Sequence, residues 1–213
     1  MLVPATEARA GSVGRAEEIV LAVAPGAHIV RVPFVMKERT GVSARRQQAW
    51  EVSAQAALDA YARGADTVAF ATIGDPSIYS TFSYLADTVL AARPDTRVEV
   101  IPGIMAMQAL AATAGVPLTE GDETLALVTL KHGVEDVATV AEHVDTVVAY
   151  KIGRHYAQLR EHIAGLGDEV RSVVGVNVGL PDQLIGSAQQ IEESPYFGAA
   201  IITRPRGRRG GRL

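Results

Sequence analysis

The stretch that decides the fold runs from Thr67 to Val116 and contains TVAFATIGDPSIYSTFSYL (67–85) and VEVIPGIMAMQALAATAGV (98–116). In each segment an apolar, β-rich run ends at a glycine-containing turn, and a helical pattern follows at once. The turns are GDPS at 74–77 and PG at 102–103. Repeated strand, turn and helix is typical of a parallel α/β sheet. Ligands of such sheets bind at the carboxyl ends of the strands, where we expect both turns to lie.

Composition limits the classes of function. The chain has 213 residues, 48% of them hydrophobic, which is enough to bury a sizeable core in one or two domains. A net charge of -4 argues against a nucleic-acid partner. Because the chain has no cysteine and no histidine pair at metal-ligand spacing, we expect neither thiolate chemistry nor a metal site. No apolar run reaches the roughly 20 residues that span a bilayer. We therefore expect a cytoplasmic protein without a membrane partner.

The same alternation continues on both sides of the central stretch. Ser43 is expected to cap a helix that runs to about Arg63 and ends at Gly64. We predict that the last two strands close the sheet at a mixed or antiparallel edge. The predicted helices cover 14–24, 43–63, 134–143 and 156–166, besides those that follow the two turns. The predicted strands cover 28–34, 66–73, 98–101, 124–130, 145–152, 170–178, 184–191 and 199–203.

A polar, breaker-rich segment, GVPLTEGD at 115–122, predicts a domain boundary. We expect an N-terminal α/β domain over residues 1–118 and a C-terminal α/β domain over residues 123–203. Residues 204–213 are basic and contain no apolar residue before the last position, so we expect them to form a disordered tail.

The GDPS turn has two interpretations. Gly74 permits close backbone approach, and the carboxylate of Asp75 can accept a hydrogen bond from an ammonium group or a ribose hydroxyl. Alternatively, Asp75 caps the following helix and Pro76 is its first residue, and the turn by itself favours this structural role.

Other candidate groups are equally open. Tyr79 and Tyr84 can act as catalytic phenols or pack against the core or its rim. The basic residues around the loop before the 43–63 helix suit either a polyanionic ligand or a solvated helix start. The chain has no GxGxxG or GxxxxGK[ST] pattern, which argues against a nicotinamide oxidoreductase and a P-loop protein.

Four segments together resemble one family. They are GDPSIYSTFSYL (74–85), VEVIPGIMAMQALAATAGVPLTEGDETLAL (98–127), TVVAYKIGRHYAQL (146–159) and VNVGLPDQLIGS (176–187). They are similar to segments of the tetrapyrrole (precorrin) methylases, and the resemblance extends from about Leu2 to Thr203. It implies two α/β domains with S-adenosylmethionine in the cleft between them, and a homodimer. The implied reaction is methyl transfer to carbon 20 of precorrin-2 or its cobalt form, in cobalamin biosynthesis.

The resemblance also assigns residues. Those implied to bind the cofactor are Ile73, Gly74, Asp75, Ile78, Met105, Ala106, Lys151, Asn177 and Val178. The substrate carries many carboxylates, so we expect basic side chains at the rim of the cleft to bind it, namely Lys37, Arg39 and Arg154. The methyl group of a sulfonium is already activated, so no strong base is required, and Tyr79 and Tyr84 are catalytic candidates by placement only.

The family opens with a strand and a GxGPGD loop, whereas MLVPA at the start of this chain matches the end of the family's second strand. We therefore expect that opening strand and loop to be missing here. Their absence would support an alternative function, a degenerate, non-catalytic partner that binds tetrapyrroles or dimerises.

Overall fold

A computed structural model of the chain describes residues 1–5, 13–35, 41–167, 170–195 and 197–207. The chain divides into two compact units, the first ending at Ile104 and the second beginning at Met105. Each unit packs helices on strands, which confirms the predicted class of two α/β domains.

The described residues of the first unit form two short parallel strands and three helices. Leu2 pairs with Val30, and Pro4 pairs with Val32. Leu2, Val32 and Phe34 form the core of this unit together with apolar residues of the second and third helices. The elements are β1 (Leu2–Pro4), α1 (Arg15–Val23), β2 (Val30–Val32), α2 (Ala44–Ala62) and α3 (Phe82–Ala92).

Local sequence signals explain the long helix α2. The Ser43 side chain accepts a hydrogen bond from the Arg46 amide at 3.1 Å, as a helix N-cap does. The helix ends before Gly64, whose φ of 93° suits a glycine. On its buried face, the Ser53 hydroxyl donates to the Pro33 carbonyl at 2.8 Å and so attaches α2 to the chain that leaves β2.

The two apolar runs of the central stretch are not regular strands, and this corrects the predicted strands over 66–73 and 98–101. Only Phe70 of the first run forms a bridge, with Leu2 of the three-residue β1. In the second run Ile101 is 69% exposed. β-branched residues form a strand only where a neighbouring strand supplies hydrogen bonds. The apolar composition of these two runs was therefore not enough to make them strands. The helix after the GDPS turn also begins late, at Phe82.

The second unit is built on a mixed five-stranded sheet. Its spatial order is β3-β4-β7-β5-β6; β3 and β4 are parallel, and the other neighbours are antiparallel. All six residues of β7 are buried, which corrects the expectation that this last strand lies at the edge. The strands are β3 (Leu125–Thr129), β4 (Thr146–Tyr150), β5 (Arg171–Val176), β6 (Leu184–Gly186) and β7 (Gly198–Thr203).

Helices cover both faces of this sheet. Successive residues of β4 point to opposite faces, so that Val147 and Ala149 belong to one core and Val148 to the other. The first core includes residues of α5 (Glu135–Ala141) and of α6 (Tyr156–Gly165), which follows a 3-10 turn (Gly153–His155). The second core includes Leu110 and Ala111 of α4 (Ala106–Ala114). α4 falls within the predicted N-terminal domain, residues 1–118, whereas its side chains pack with the strands of the second unit.

The basic C-terminal segment is ordered at its start. The Arg204 amide donates to the Asp145 carbonyl at 3.2 Å. Arg206 forms an ion pair with Glu123 at 2.6 Å. Residues 204–207 are thus held by carboxylate and carbonyl acceptors that the composition did not reveal, and the rest of the expected tail lies outside the described residues.

Candidate functional site

The two turns of the central stretch contact each other in the first unit. The Asp75 carboxylate accepts a hydrogen bond from the Gly103 amide at 2.9 Å, across 28 positions of sequence. The same carboxylate accepts from the Ser77 amide at 2.8 Å and from the Ser77 hydroxyl. Asp75 therefore joins the GDPS and PG turns.

Glycine is required on both sides of this contact. Gly74 has a φ of 75°, in the region that glycine adopts without strain. A Cβ atom on Gly103 would lie 2.3 Å from the carbonyl oxygen of Gly74, closer than any packed side chain. The two backbones thus approach at a distance that only glycine allows.

The contacts of Asp75 argue against one of its two interpretations, the helix cap. The Ser77 hydroxyl, the Gly103 amide and the Ser77 amide together lower the pKa of the Asp75 carboxyl, which is ionised at neutral pH. Because α3 begins at Phe82, Asp75 does not cap that helix. The carboxylate forms a local turn with Ser77 and a long-range contact with Gly103 instead.

A second group of candidate residues surrounds the start of α4 in the second unit. Met105 is buried, and its amide donates to the Gln108 side-chain oxygen at 2.8 Å. One residue after Ala106, the Met107 amide donates to the Tyr150 hydroxyl at 3.2 Å. The start of α4 is therefore attached to the last residue of β4.

Backbone strain coincides with the candidate positions. Among the described residues, the non-glycine residues with left-handed backbone are Tyr79, Lys151 and Asn177, with φ of 52°, 57° and 50°. Such conformations are uncommon and cost about 1–3 kcal/mol, and they cluster at functional sites. All three residues are also among the candidates that the sequence and the family resemblance predict.

Lys151 and Asn177 lie at the same edge of the sheet. β4 and β5 are each antiparallel to β7, so they run in the same direction and their carboxyl ends share an edge. The Asn177 amide donates to the Phe197 carbonyl at 2.9 Å, and its side-chain amide donates to Asp182 at 2.8 Å. These bonds hold Asn177 in its strained conformation.

Lys151 has a perturbed ammonium group. Burial lowers the pKa of Lys151, and the positive charge of Lys131 lowers this pKa further. Sequence reasoning missed Lys131, which lies just beyond the end of β3. The signal that could have found it is a lysine within two residues of the end of each of two neighbouring parallel strands.

The remaining predicted residues are placed as follows. Ile73 and Ile78 flank the GDPS turn, 47% and 36% exposed. Tyr84 stacks on Trp50 with ring centroids 4.6 Å apart, which is a packing contact.

In the second unit, Val178 follows Asn177, and Arg154 is exposed on the 3-10 turn. Lys37 and Arg39 lie outside the described residues.

Two features are absent from the described part of the chain. No group of three or more histidine, aspartate or glutamate side chains there lies close enough to hold a metal ion. No described helix combines the length and apolar character needed to cross a membrane.

A family model of the tetrapyrrole (corrin/porphyrin) methylases matches residues 5–191. The chain belongs to the tetrapyrrole methylases. This match covers both units, including the contacting turns and the strained residues of the second unit.

Two curated relatives of this tetrapyrrole methylase are named for methylation at carbon 20. A probable cobalt-precorrin-2 C(20)-methyltransferase of Methanocaldococcus jannaschii is 33% identical over 144 residues, which are 64% of this chain and 59% of the relative. A precorrin-2 C(20)-methyltransferase of Sinorhizobium sp is 29% identical over 149 residues, which are 68% of this chain and 59% of the relative. The matched segment thus spans less than two thirds of the length of either relative.

Solved structures of similar fold include the methyltransferase CobJ, with a TM-score of 0.57 and 21% identity over 99% of this chain and 96% of that one. A uroporphyrin-III C-methyl transferase from Thermus thermophilus, complexed with S-adenyl homocysteine, has a TM-score of 0.57 and 20% identity, over 95% of this chain and 84% of the other. At these identities the likeness shows the fold.

Proposed function

We propose that this tetrapyrrole methylase transfers the methyl group of S-adenosylmethionine to carbon 20 of precorrin-2, or of its cobalt form, in cobalamin biosynthesis. The observation that carries the proposal is the similarity to relatives whose names specify this carbon and this substrate, at 33% and 29% identity. A related structure in complex with S-adenyl homocysteine supports the choice of methyl donor.

The residues of the first unit suit this donor. A carboxylate offers about four acceptor positions, and Asp75 uses three of them on Ser77 and Gly103. One position is left for a donor such as a ribose hydroxyl or the ammonium of the methionyl group. The exposed side chains of Ile73 and Ile78 supply apolar surface beside this turn for an adenine ring.

The second unit supplies further binding residues in this proposal. They are Met105 and Ala106 at the start of α4, and Lys151, Asn177 and Val178 at the carboxyl ends of β4 and β5. Their strained or closely packed backbone is held in place by neighbouring elements, which favours a preorganised binding surface.

Bound S-adenosylmethionine supplies an activated methyl group on a sulfonium. The protein then has to align the nucleophilic carbon with that methyl group and exclude water, so we assign no base. Burial raises the pKa of the Tyr79 phenol, which therefore stays protonated at neutral pH and can donate a hydrogen bond. Arg154, Lys37 and Arg39 are proposed to bind carboxylates of the tetrapyrrole.

The family resemblance also underlies two wider proposals, that the enzyme is cytoplasmic and that it acts as a homodimer. Light scattering coupled to size-exclusion chromatography tests the second. A mass of one chain at micromolar concentration would contradict the dimer.

The reaction itself is tested in two steps. Calorimetric titration with S-adenosylhomocysteine measures cofactor binding. Incubation with S-adenosylmethionine and precorrin-2, with and without cobalt, followed by mass spectrometry, measures the gain of one methyl group and its position.

We expect binding of S-adenosylhomocysteine and a product methylated at carbon 20. A product methylated elsewhere would overturn the assignment of the carbon. Binding of both ligands without methyl transfer would favour the non-catalytic alternative.

A further inference from the structure

Lys131 and Lys151 follow the carboxyl ends of two adjacent parallel strands, β3 and β4. The parallel register pairs Thr129 with Tyr150, and the next hydrogen bond runs from the Leu130 amide to the Tyr150 carbonyl at 3.0 Å. Lys131 follows Leu130, and Lys151 follows Tyr150. Adjacent strands lie about 4.8 Å apart, so both chains leave the sheet as neighbours at one edge.

The positions of the two lysines at adjacent strand ends bring their charges into the same region of the sheet. The positive charge of Lys131 lowers the pKa of Lys151, in addition to the effect of burial. Like charges at such a separation repel each other, and an anion that contacts both removes the repulsion.

The backbone at Lys151 is fixed in an uncommon conformation. Its φ of 57° is left-handed, and the next residue, Ile152, is fully buried. A Cβ atom on Gly153 would lie 2.6 Å from the Pro195 carbonyl oxygen, so the turn after Lys151 is closely packed on residues 194–195. Surrounding packing thus holds Lys151 beside Lys131 despite the strain.

We propose that Lys131 and Lys151 together bind one carboxylate group of a ligand. The inference rests on the proposed function, because both ligands of that reaction carry carboxylates. One source is the amino-acid part of S-adenosylmethionine, and the other is the periphery of the tetrapyrrole. Lys131 is new among the binding residues, and Lys151 acquires a defined chemical role.

The experiment compares Lys131→Gln, Lys151→Gln and the double variant. Each is titrated with S-adenosylhomocysteine, with methylthioadenosine, which lacks the amino-acid part, and with precorrin-2. Arg171→Gln is the matched control, since Arg171 is exposed at the amino end of β5, the opposite edge of the same sheet. Lys131→Arg keeps the positive charge, so it should bind the ligands more tightly than Lys131→Gln does.

We expect each lysine variant to bind the carboxylate ligand about tenfold more weakly, as the loss of one charge-assisted hydrogen bond predicts. The fold-loss of affinity in the double variant should be smaller than the product of the two single fold-losses, because both lysines bind the same group. Weaker binding of S-adenosylhomocysteine with unchanged methylthioadenosine would assign the carboxylate to the cofactor. Weaker binding of precorrin-2 with unchanged S-adenosylhomocysteine would assign it to the tetrapyrrole.

Two results would overturn the inference. If the wild type binds the ligands and both lysine variants bind them as tightly as Arg171→Gln, the lysine site is wrong and the proposed function stands. If the wild-type protein binds none of the three ligands, the proposed function and the lysine site fail together.

Discussion

At the scale of single residues, Asp75 connects local and distant structure. It forms a turn with Ser77, two positions away, and it also accepts from Gly103, 28 positions away. Loss of its carboxylate would therefore affect both the turn and any ligand bound beside it.

For Asp75→Ala we expect affinity for S-adenosylhomocysteine to fall by about tenfold or more, the effect of losing one charge-assisted hydrogen bond. Asp75→Asn keeps an acceptor oxygen for Gly103 and serves as the control for the turn. Calorimetry and the thermal midpoint are measured for both variants. A lower midpoint with unchanged affinity would assign Asp75 a structural role only.

For Tyr79→Phe and Tyr84→Phe we expect kcat for methyl transfer to stay within about tenfold of wild type, because attack on a sulfonium methyl group needs no strong base. General acid or base catalysis contributes about 100-fold to 10,000-fold. A loss of that size in one variant only would identify that tyrosine as a catalytic group. Steady-state rates at saturating ligand provide the measurement.

At the scale of elements, the close approach of the GDPS and PG turns depends on glycine. The turns follow two apolar runs that have little strand pairing, and the hydrogen bond from the Gly103 amide to Asp75 joins the chain there. A side chain at the contact would force two backbones apart.

We expect Gly103→Ala to destabilise the protein by about 1–3 kcal/mol, because its Cβ meets the Gly74 backbone, which cannot move aside as a side chain can. Gly26→Ala is the matched control, since a Cβ there has nothing within 4 Å. Denaturant unfolding and S-adenosylhomocysteine affinity are measured for both. Equal stability of the two variants would contradict the observed approach.

At the scale of the whole chain, Arg206 connects the C-terminal segment to residues 83 positions earlier. Its guanidinium contacts both carboxylate oxygens of Glu123 and also donates to the Pro117 carbonyl at 3.2 Å. Only 8% of the Glu123 side chain is exposed. The Arg206 hydrogen bonds lower the pKa of the Glu123 carboxyl.

We expect Arg206→Gln to lower the free energy of unfolding by about 1–3 kcal/mol at neutral pH, as hydrogen bonds to charged groups do. Arg15→Gln is the control; its i,i+3 pair with Glu18 is exposed, and its loss should change stability by less than about 0.5 kcal/mol. Urea unfolding at neutral pH compares the two. Equal losses would show that Arg206 acts as an ordinary surface charge.

The pH dependence gives a second test of the same pair. The pKa of Glu123 is lower in the folded protein than in the unfolded chain. The pair with Arg206 therefore contributes its full stabilisation at pH values above the unfolded-state pKa. That contribution is lost as the pH falls through the folded-state pKa. The stability difference between wild type and Arg206→Gln should therefore shrink below about pH 5. A difference that persists at lower pH would require another cause.

The sequence by itself determined the α/β class, the strands over 124–130, 145–152 and 170–178, and the cap at Ser43. Each depends on signals within a few residues: β-rich apolar runs, breakers and capping side chains. The candidate turns at 74–77 and 102–103 could also be recognised, because glycine and aspartate signal turn geometry locally. The binding roles of their residues remain predictions.

Only the tertiary structure decided which distant segments meet. It placed β7 between β4 and β5, joined Asp75 to Gly103, brought the strand ends before Lys131 and Lys151 together and attached Arg206 to Glu123. It also left the apolar runs at 66–73 and 98–101 without regular pairing. Strand order and side-chain partners depend on hydrogen bonds between residues far apart in the chain, and such pairings leave no periodicity in the local sequence.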